Sequence, residues 1–173
     1  MTRRRLLFLA LLLWALPAAA EPPLEYRVQA AYVSKFLRFV EWPAERLAGG
    51  FVVGVVGNDS FREAMGALDG YEAGDRVVEV RHLERTLDVS DVHVLVIGPS
   101  MRALAFLEAA IGEPVLTVSD AAGFNDAGGI VQFVVIEETI RFEINLASAE
   151  HSRLKLSSRL LQLARNVLRD WRP

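Results

Sequence analysis

Residues 51–60 have the sequence FVVGVVGNDS, and this stretch decides the fold. Its first part is a short apolar run rich in valine and bounded by Gly50 and Gly57, which is typical of a strand buried on both faces. Asn58 follows at once, and asparagine is a favoured residue at the start of a helix. The stretch therefore predicts a strand at residues 51–56 that leads directly into a helix ending at Leu68.

The same alternation of strand and helix continues outward from this stretch. Apolar or alternating runs predict strands at residues 76–80, 92–97 and 114–118. Helical spacing of apolar residues predicts helices at residues 24–40 and 99–111. Strands that alternate with helices favour a parallel sheet covered by helices.

The C-terminal third has a different pattern. Residues 130–136 and 139–146 predict a β-hairpin that turns at Glu137-Glu138, and a polar stretch at residues 147–153 follows it. Ser157 or Ser158 is the expected cap of a last amphipathic helix. The apolar stripe of that helix would consist of Leu160, Leu163, Ala164, Val167, Leu168 and Trp171. We predict an α/β fold: a single-domain sandwich with a mixed, partly parallel sheet flanked by helices, a C-terminal β-hairpin and an amphipathic helix.

Residues 1–20 have the three-part layout of a secretory signal peptide. Arg3, Arg4 and Arg5 precede an apolar run at residues 6–16, and small residues lead up to Ala20. The run is about half the length that a membrane-spanning helix needs. We expect a cleaved signal peptide at residues 1–20, a domain at residues 21–173 and a periplasmic location; a retained anchor helix is the alternative.

The composition excludes several classes of function. The net charge is −3 and becomes more negative without the three N-terminal arginines, so nucleic acid is not an expected partner. The chain has no cysteine, which excludes disulfides and thiolate metal sites. His82, His93 and His151 do not have a metal-binding spacing.

Sequence motifs that are typical of catalytic sites are also absent. The sequence has no nucleophile elbow, no phosphate-binding loop of the Walker type and no dinucleotide fingerprint. We therefore expect no catalytic residue, no metal and no cofactor. Scattered carboxylates leave a hydrolase with a glycosidase-type pair open as a third hypothesis.

Small and polar residues follow three of the predicted strands. These residues are Asn58, Asp59 and Ser60 after the first strand, Ser100 after the second, and Ser119 and Asp120 after the third. If the strands are parallel, these residues meet at the edge of the sheet where α/β proteins usually bind ligands. An amine or a neutral polar ligand would suit the two aspartates. The alternative is that these residues only cap helices and form turns.

Four blocks of the sequence, in order, resemble the YfiR-like family of periplasmic regulators. The first comprises AAYVSKF at residues 30–36 and FVEWP at residues 39–43. The second comprises LTVSD at residues 116–120, then Phe124, then GGI at residues 128–130. The others are RFEINL at residues 141–146 and LSSRLLQLA at residues 156–164.

The resemblance implies a regulator rather than an enzyme. The expected partner is the periplasmic part of an inner-membrane diguanylate cyclase or sensor protein, which the regulator represses. An OmpA-type outer-membrane lipoprotein would relieve the repression, and the output would be cyclic di-GMP and biofilm formation. Some relatives carry cysteine pairs, so the absence of cysteine excludes a thiol switch in this chain. A homodimer is left open.

The resemblance and the residue pattern together suggest three binding elements. The first is Trp42, which could instead be a core indole at the end of a helix. The second is the loop with Phe124, Gly128 and Gly129, where the glycines could simply supply positive φ. The third is the polar face formed by Arg141, Glu143 and Asn145, whose members alternate along one strand and could instead be solvated.

Two hypotheses therefore precede the hydrolase. The first is a regulator that binds and represses a membrane signalling protein. The alternative is a periplasmic small-ligand sensor that binds its ligand at the strand ends and acts on a sensor kinase or another membrane partner.

Overall fold

A computed structural model describes residues 21–84 and 88–170. The helices are α1 (Leu24–Phe39), α2 (Asp59–Gly66), α3 (Ala103–Ala110), α4 (Leu146–His151) and α5 (Ser158–Leu163), with a 3-10 helix at Ala44–Arg46. The strands are β1 (Val40–Glu41), β2 (Phe51–Val56), β3 (Glu72–Ala73), β4 (Arg76–His82), β5 (Val94–Ile97), β6 (Leu116–Ser119), β7 (Val131–Ile136), β8 (Thr139–Asn145), β9 (Lys155–Leu156) and β10 (Asn166–Leu168). The expected signal peptide lies outside the described residues.

The main sheet has eight strands in the order β10-β8-β7-β6-β5-β2-β4-β3. The central strands β4, β2, β5, β6 and β7 are parallel. β8 is antiparallel to β7 and parallel to β10, and β3 is antiparallel to β4. β1 and β9 form a separate antiparallel pair. The predicted α/β fold with a mixed, partly parallel sheet is confirmed.

The two faces of the sheet carry separate hydrophobic cores. Val53 and Val55 of β2 point into the core beneath α1, α2 and α5. Val52 and Val56 of the same strand point into the other core, beneath α3. This alternation explains why β2 reads as a continuous apolar run in the sequence.

Local sequence signals define several of these elements. The Asn58 side chain accepts a hydrogen bond from the Phe61 N–H and caps α2, as predicted. Glu137 and Glu138 have φ angles of 48° and 60°, the backbone that a two-residue hairpin turn requires, so the predicted turn between β7 and β8 is confirmed.

The predicted C-terminal helix is wrong beyond Leu163. Ser157 caps α5 as expected, but α5 ends after six residues and the chain becomes extended at Ala164. The Arg165 N–H then donates to the Phe142 carbonyl, and β10 pairs in parallel with β8. The free edge of β8 supplies hydrogen-bond partners that the helical pattern could not reveal. Trp171 lies outside the described residues.

Residues 99–102 and 147–153 also differ from the predictions. α3 begins at Ala103 rather than near Ser100, because residues 99–102 form a turn in which the Ser100 hydroxyl accepts from the Arg102 N–H. The polar stretch at residues 147–153 mostly forms α4, capped by the Asn145 side chain. Among the helices of the described residues, none combines the length and the apolar character needed to cross a bilayer.

Candidate partner-binding surface

The carboxyl ends of β2 and β5 meet at one edge of the sheet, where the sequence predicts a ligand site. Gly57 and Gly98 end these strands, and a Cβ on either would lie 2.6 Å from the Phe61 ring. Phe61 is buried, and Tyr26 of α1 packs edge-on against it at 5.1 Å between ring centroids. An apolar ring therefore fills the crevice between these strand ends.

The polar residues at this edge have local hydrogen-bonding roles. Asn58 caps α2, and Asp59 forms an ion pair with Arg62 one turn later, at 2.5 Å. Ser60 is exposed, and Ser100 supports the turn before α3. These contacts correspond to the capping alternative raised by the sequence.

Ser119 and Asp120, at the end of β6, connect neighbouring elements. The buried Ser119 hydroxyl donates to the Ile97 carbonyl at 2.6 Å and accepts from the Ala121 N–H at 3.2 Å. The Asp120 carboxylate accepts from the buried Gln29 side chain of α1 at 3.2 Å. These bonds fix the position from which the following loop departs.

The loop at residues 119–129, which starts at the last residue of β6, is anchored by Phe124. The Phe124 ring is buried, and its carbonyl accepts from the Gly129 N–H. A Cβ on Gly129 would overlap the Phe124 ring, whereas Gly128 has a φ of 101°. Both glycines are therefore required by the loop backbone, one for close approach and the other for positive φ.

An apolar groove separates this loop from α3, and we name it the α3 groove. Its volume is about 180 Å³. It is lined by Ala103, Leu104, Leu107, Ser119, Ala121, Ala122, Gly123, Phe124 and Ala127. Leu104 is 60% exposed on its rim, and Met101 is fully exposed just before α3.

Leu104 and Met101 were not predicted as binding residues from the sequence, although the scarcity of charged residues around them was visible there. Residues 101–111 contain only Arg102 and Glu108 as charged residues, so the helix is apolar on almost every side. A helix of this kind is usually covered on every face. Here the inner face of α3 packs on the sheet through Phe106 and Leu107, while its outer face remains open.

The predicted polar face of β8 is not a single surface. Asn145 is fully buried: its amide donates to the Asn125 carbonyl at 2.9 Å, and its oxygen caps α4. Glu143 is paired with Arg165. Arg141 alone is exposed, so the three residues do not form the common polar face that was expected as a partner surface, because hydrogen bonds hold Asn145 inside.

Trp42 is a core residue. It is 5% exposed, its ring lies 5.1 Å from that of Phe51, and its indole N–H donates to the His93 carbonyl at 3.1 Å. These contacts correspond to the core alternative for this tryptophan.

His93 is a buried neutral imidazole beside Trp42. Its Nδ1 accepts from the Val52 N–H at 3.0 Å, and its Nε2 lies 2.8 Å from the Arg46 carbonyl, to which it donates. Burial lowers the pKa of His93 below its ordinary value of 6.5. Two backbone contacts thus hold this histidine in the core.

A second, more polar cavity lies at the opposite end of the sheet, where β2 and β4 begin. Its volume is about 560 Å³, and its lining includes Arg46, Glu79, Arg81, Asp91 and His93. Arg81 pairs with Glu79 at 2.6 Å, and the Arg46 guanidinium donates to the Val92 carbonyl at 2.6 Å. Both cations are thus engaged by groups of the protein itself. Within residues 21–84 and 88–170, no cluster of three or more histidine or carboxylate side chains could hold a metal ion.

A comparison with known families gives one match. The model of a family described as YfiR/HmsC-like matches residues 26–165. The chain belongs to the YfiR/HmsC-like family. No curated protein matches the chain.

Membership of the YfiR/HmsC-like family changes how the surface is interpreted. The family assignment supports a regulator. The matched region runs from α1 to the segment after α5 and includes the whole α3 groove. In a regulator, an open apolar surface beside an anchored loop is a candidate contact with another protein.

Proposed function

We propose that this protein is a periplasmic regulator that binds and represses a membrane-bound signalling protein, through the α3 groove. The partner we propose is the periplasmic part of an inner-membrane diguanylate cyclase. Binding would lower the production of cyclic di-GMP. An OmpA-type outer-membrane lipoprotein would relieve the repression by sequestering the regulator.

The observation that carries this proposal is the open outer face of α3. Leu104 and Met101 expose large apolar side chains next to a groove whose lining is almost entirely apolar. Burying such side chains against a partner is favourable by about 25 cal/mol per Å² of apolar surface. The cores of protein–protein interfaces are depleted of charged residues, as the lining of this groove is.

The rigidity of the groove also supports a binding role. One wall is a helix packed on the sheet, and the other is a loop held by the Ser119 hydroxyl and the buried Phe124 ring. A surface that is already ordered loses little conformational entropy when it binds. Of the three binding elements expected from the sequence, the loop is therefore preferred over Trp42, which is buried, and over the polar face of β8.

The alternative of a small-ligand sensor lacks its expected pocket at the ends of β2 and β5. Phe61 occupies the space over Gly57 and Gly98. Asn58 and Asp59, which were expected to contact a ligand, are engaged in α2. The regulator hypothesis does not need that crevice.

A pull-down from membranes tests the partner and the surface together. Wild-type protein cross-linked in membranes of its own bacterium should capture a diguanylate cyclase, and Leu104→Glu should lose it. Val135→Glu is the matched control, since Val135 is 59% exposed, lies on β7 and does not line the groove. Capture of the cyclase by Leu104→Glu at the wild-type level would contradict the groove as the contact. Wild-type protein that captures no cyclase would contradict the partner.

A further inference from the structure

The cations of this acidic protein are divided between two kinds of surroundings. Arg27, Arg62, Arg76, Arg81, Arg153 and Arg165 each form an ion pair with a carboxylate. Within the described residues, Lys35, Arg141 and Arg159 take part in no such pair. Arg38, Arg46, Lys155 and Arg169 form none of these ion pairs either, but Lys35, Arg141 and Arg159 lie together where α1, β8 and α5 meet.

These cations surround an apolar surface, which we name the basic face. Lys35 and Arg141 line a cavity of about 190 Å³ together with Tyr32, Phe36, Phe39, Phe142, Leu160 and Leu163. The Arg159 guanidinium lies 5.7 Å from the centroid of the Phe39 ring. The Lys35 ammonium lies 5.7 Å from the centroid of the Tyr32 ring.

One large apolar side chain projects from the basic face. Leu163, at the end of α5, is 59% exposed. Lys155 on β9 lies opposite Glu41 of β1 in the register, so the net positive charge of the face comes from Lys35, Arg141 and Arg159. The face therefore combines an excess of positive charge with aromatic rings and an exposed leucine.

We propose that the basic face docks the protein onto an anionic lipid surface. Lysine and arginine side chains that lie along apolar rings can place their charges at the headgroup level. Leu163 and the edge of Phe39 would enter the boundary between headgroups and acyl chains. Each cation near an anionic membrane contributes about 1 kcal/mol, so the three together produce a useful but reversible affinity.

The position of the basic face in the fold is compatible with partner binding. α1 and α5 pack on one side of the sheet, and α3 packs on the other. A protein held to lipid by the basic face would keep the α3 groove free. Docking would confine the search for a membrane partner to the plane of the bilayer, although the lipid proposal does not depend on which partner is bound.

Vesicle flotation with the purified protein tests this proposal. Wild-type protein should float with phosphatidylethanolamine vesicles that contain phosphatidylglycerol, and not with phosphatidylcholine vesicles. The triple variant Lys35→Glu, Arg141→Glu, Arg159→Glu should bind on the order of a hundredfold more weakly, or worse, given roughly fivefold per cation. Leu163→Ser should weaken binding without changing its salt dependence.

The matched control changes the same net charge elsewhere. Arg27→Glu, Arg62→Glu, Arg81→Glu reverses three cations that lie outside the basic face and should retain binding apart from a general charge effect. Circular dichroism of each variant shows whether it is folded. Failure of the wild-type protein to bind phosphatidylglycerol vesicles would overturn the proposal, and so would equal losses in the two triple variants. Binding to polyglutamate but not to vesicles would assign the face to an acidic protein and overturn it too.

Discussion

At the scale of single residues, Trp42 combines two stabilising contacts: its ring packs on Phe51, and its N–H bonds the His93 carbonyl. We expect Trp42→Ala to lower the free energy of unfolding by about 3–5 kcal/mol, because it leaves a cavity and removes a buried hydrogen bond. Urea denaturation measures this. Leu163→Ala is the control and should change stability by no more than about 0.5 kcal/mol, because Leu163 is exposed. Equal effects of the two substitutions would contradict a core role for Trp42.

His93 makes the stability of the fold depend on pH. Both ring nitrogens are engaged, and Nδ1 faces an N–H donor, so a proton there would meet another donor. The charged neighbours Arg46 and Arg76 also disfavour the imidazolium, whereas Asp91 favours it. The folded pKa is lowered, so the unfolded state takes up the proton first.

The direction of the pH effect follows from this order. The contribution of His93 to stability is present above the ordinary pKa of 6.5 and is lost as the pH falls from there through the folded pKa. Urea denaturation at a series of pH values should show this decline in the wild-type protein and a flatter profile in His93→Gln. His82→Gln, at an exposed position, should keep the wild-type profile. A decline of equal size in His93→Gln would assign the effect to other groups.

Replacement by alanine should have opposite effects on stability at Gly129 and at Gly66. Gly129→Ala would overlap the Phe124 ring and should cost about 1–3 kcal/mol, with weaker partner binding because the loop must shift. Gly66→Ala lies in α2 with nothing within 4 Å of the added Cβ, so it should stabilise the protein by about 0.4–1 kcal/mol. Thermal denaturation of both variants measures the contrast. A stable Gly129→Ala protein with full binding would show that the loop tolerates the side chain.

At the scale of elements, local patterns predicted what local forces determine. α1, β2, the Asn58 cap and the β7–β8 hairpin follow from periodicity, capping and turn chemistry, which act within a few residues. β10 depends on the open edge of β8, more than twenty positions earlier in the chain, so its residues retain a helical pattern that the fold overrides. Phe61 likewise fills the crevice at the strand ends through a tertiary contact, which the spacing of residues in the sequence does not predict.

A substitution at Val167 tests whether this segment is a strand or a helix. Alanine favours helices and is depleted in strands, where valine packs well. Val167→Ala should therefore destabilise the protein, by up to about 1 kcal/mol, if β10 pairs with β8. In a continuous C-terminal helix, the higher helix propensity of alanine would offset part of the lost packing, so the same substitution would change stability less. Urea denaturation decides between the two, and Gln162→Ala within α5 is the helical control.

At the scale of the whole molecule, the sheet separates two surfaces. The α3 groove lies on one side and the basic face on the other, each supported by its own hydrophobic core. The sequence indicated the α/β fold, the family and the 119–129 loop. It did not locate the groove, because the exposure of Leu104 depends on which face of α3 the sheet covers.

The most direct test of the central claim is the level of cyclic di-GMP in living cells. The account predicts a rise when this gene is deleted, restoration by wild-type protein and by Val135→Glu, and no restoration by Leu104→Glu at equal protein abundance. These outcomes follow if the α3 groove holds the cyclase in its repressed state. Unchanged cyclic di-GMP in the deletion strain, or full restoration by Leu104→Glu, would contradict the account.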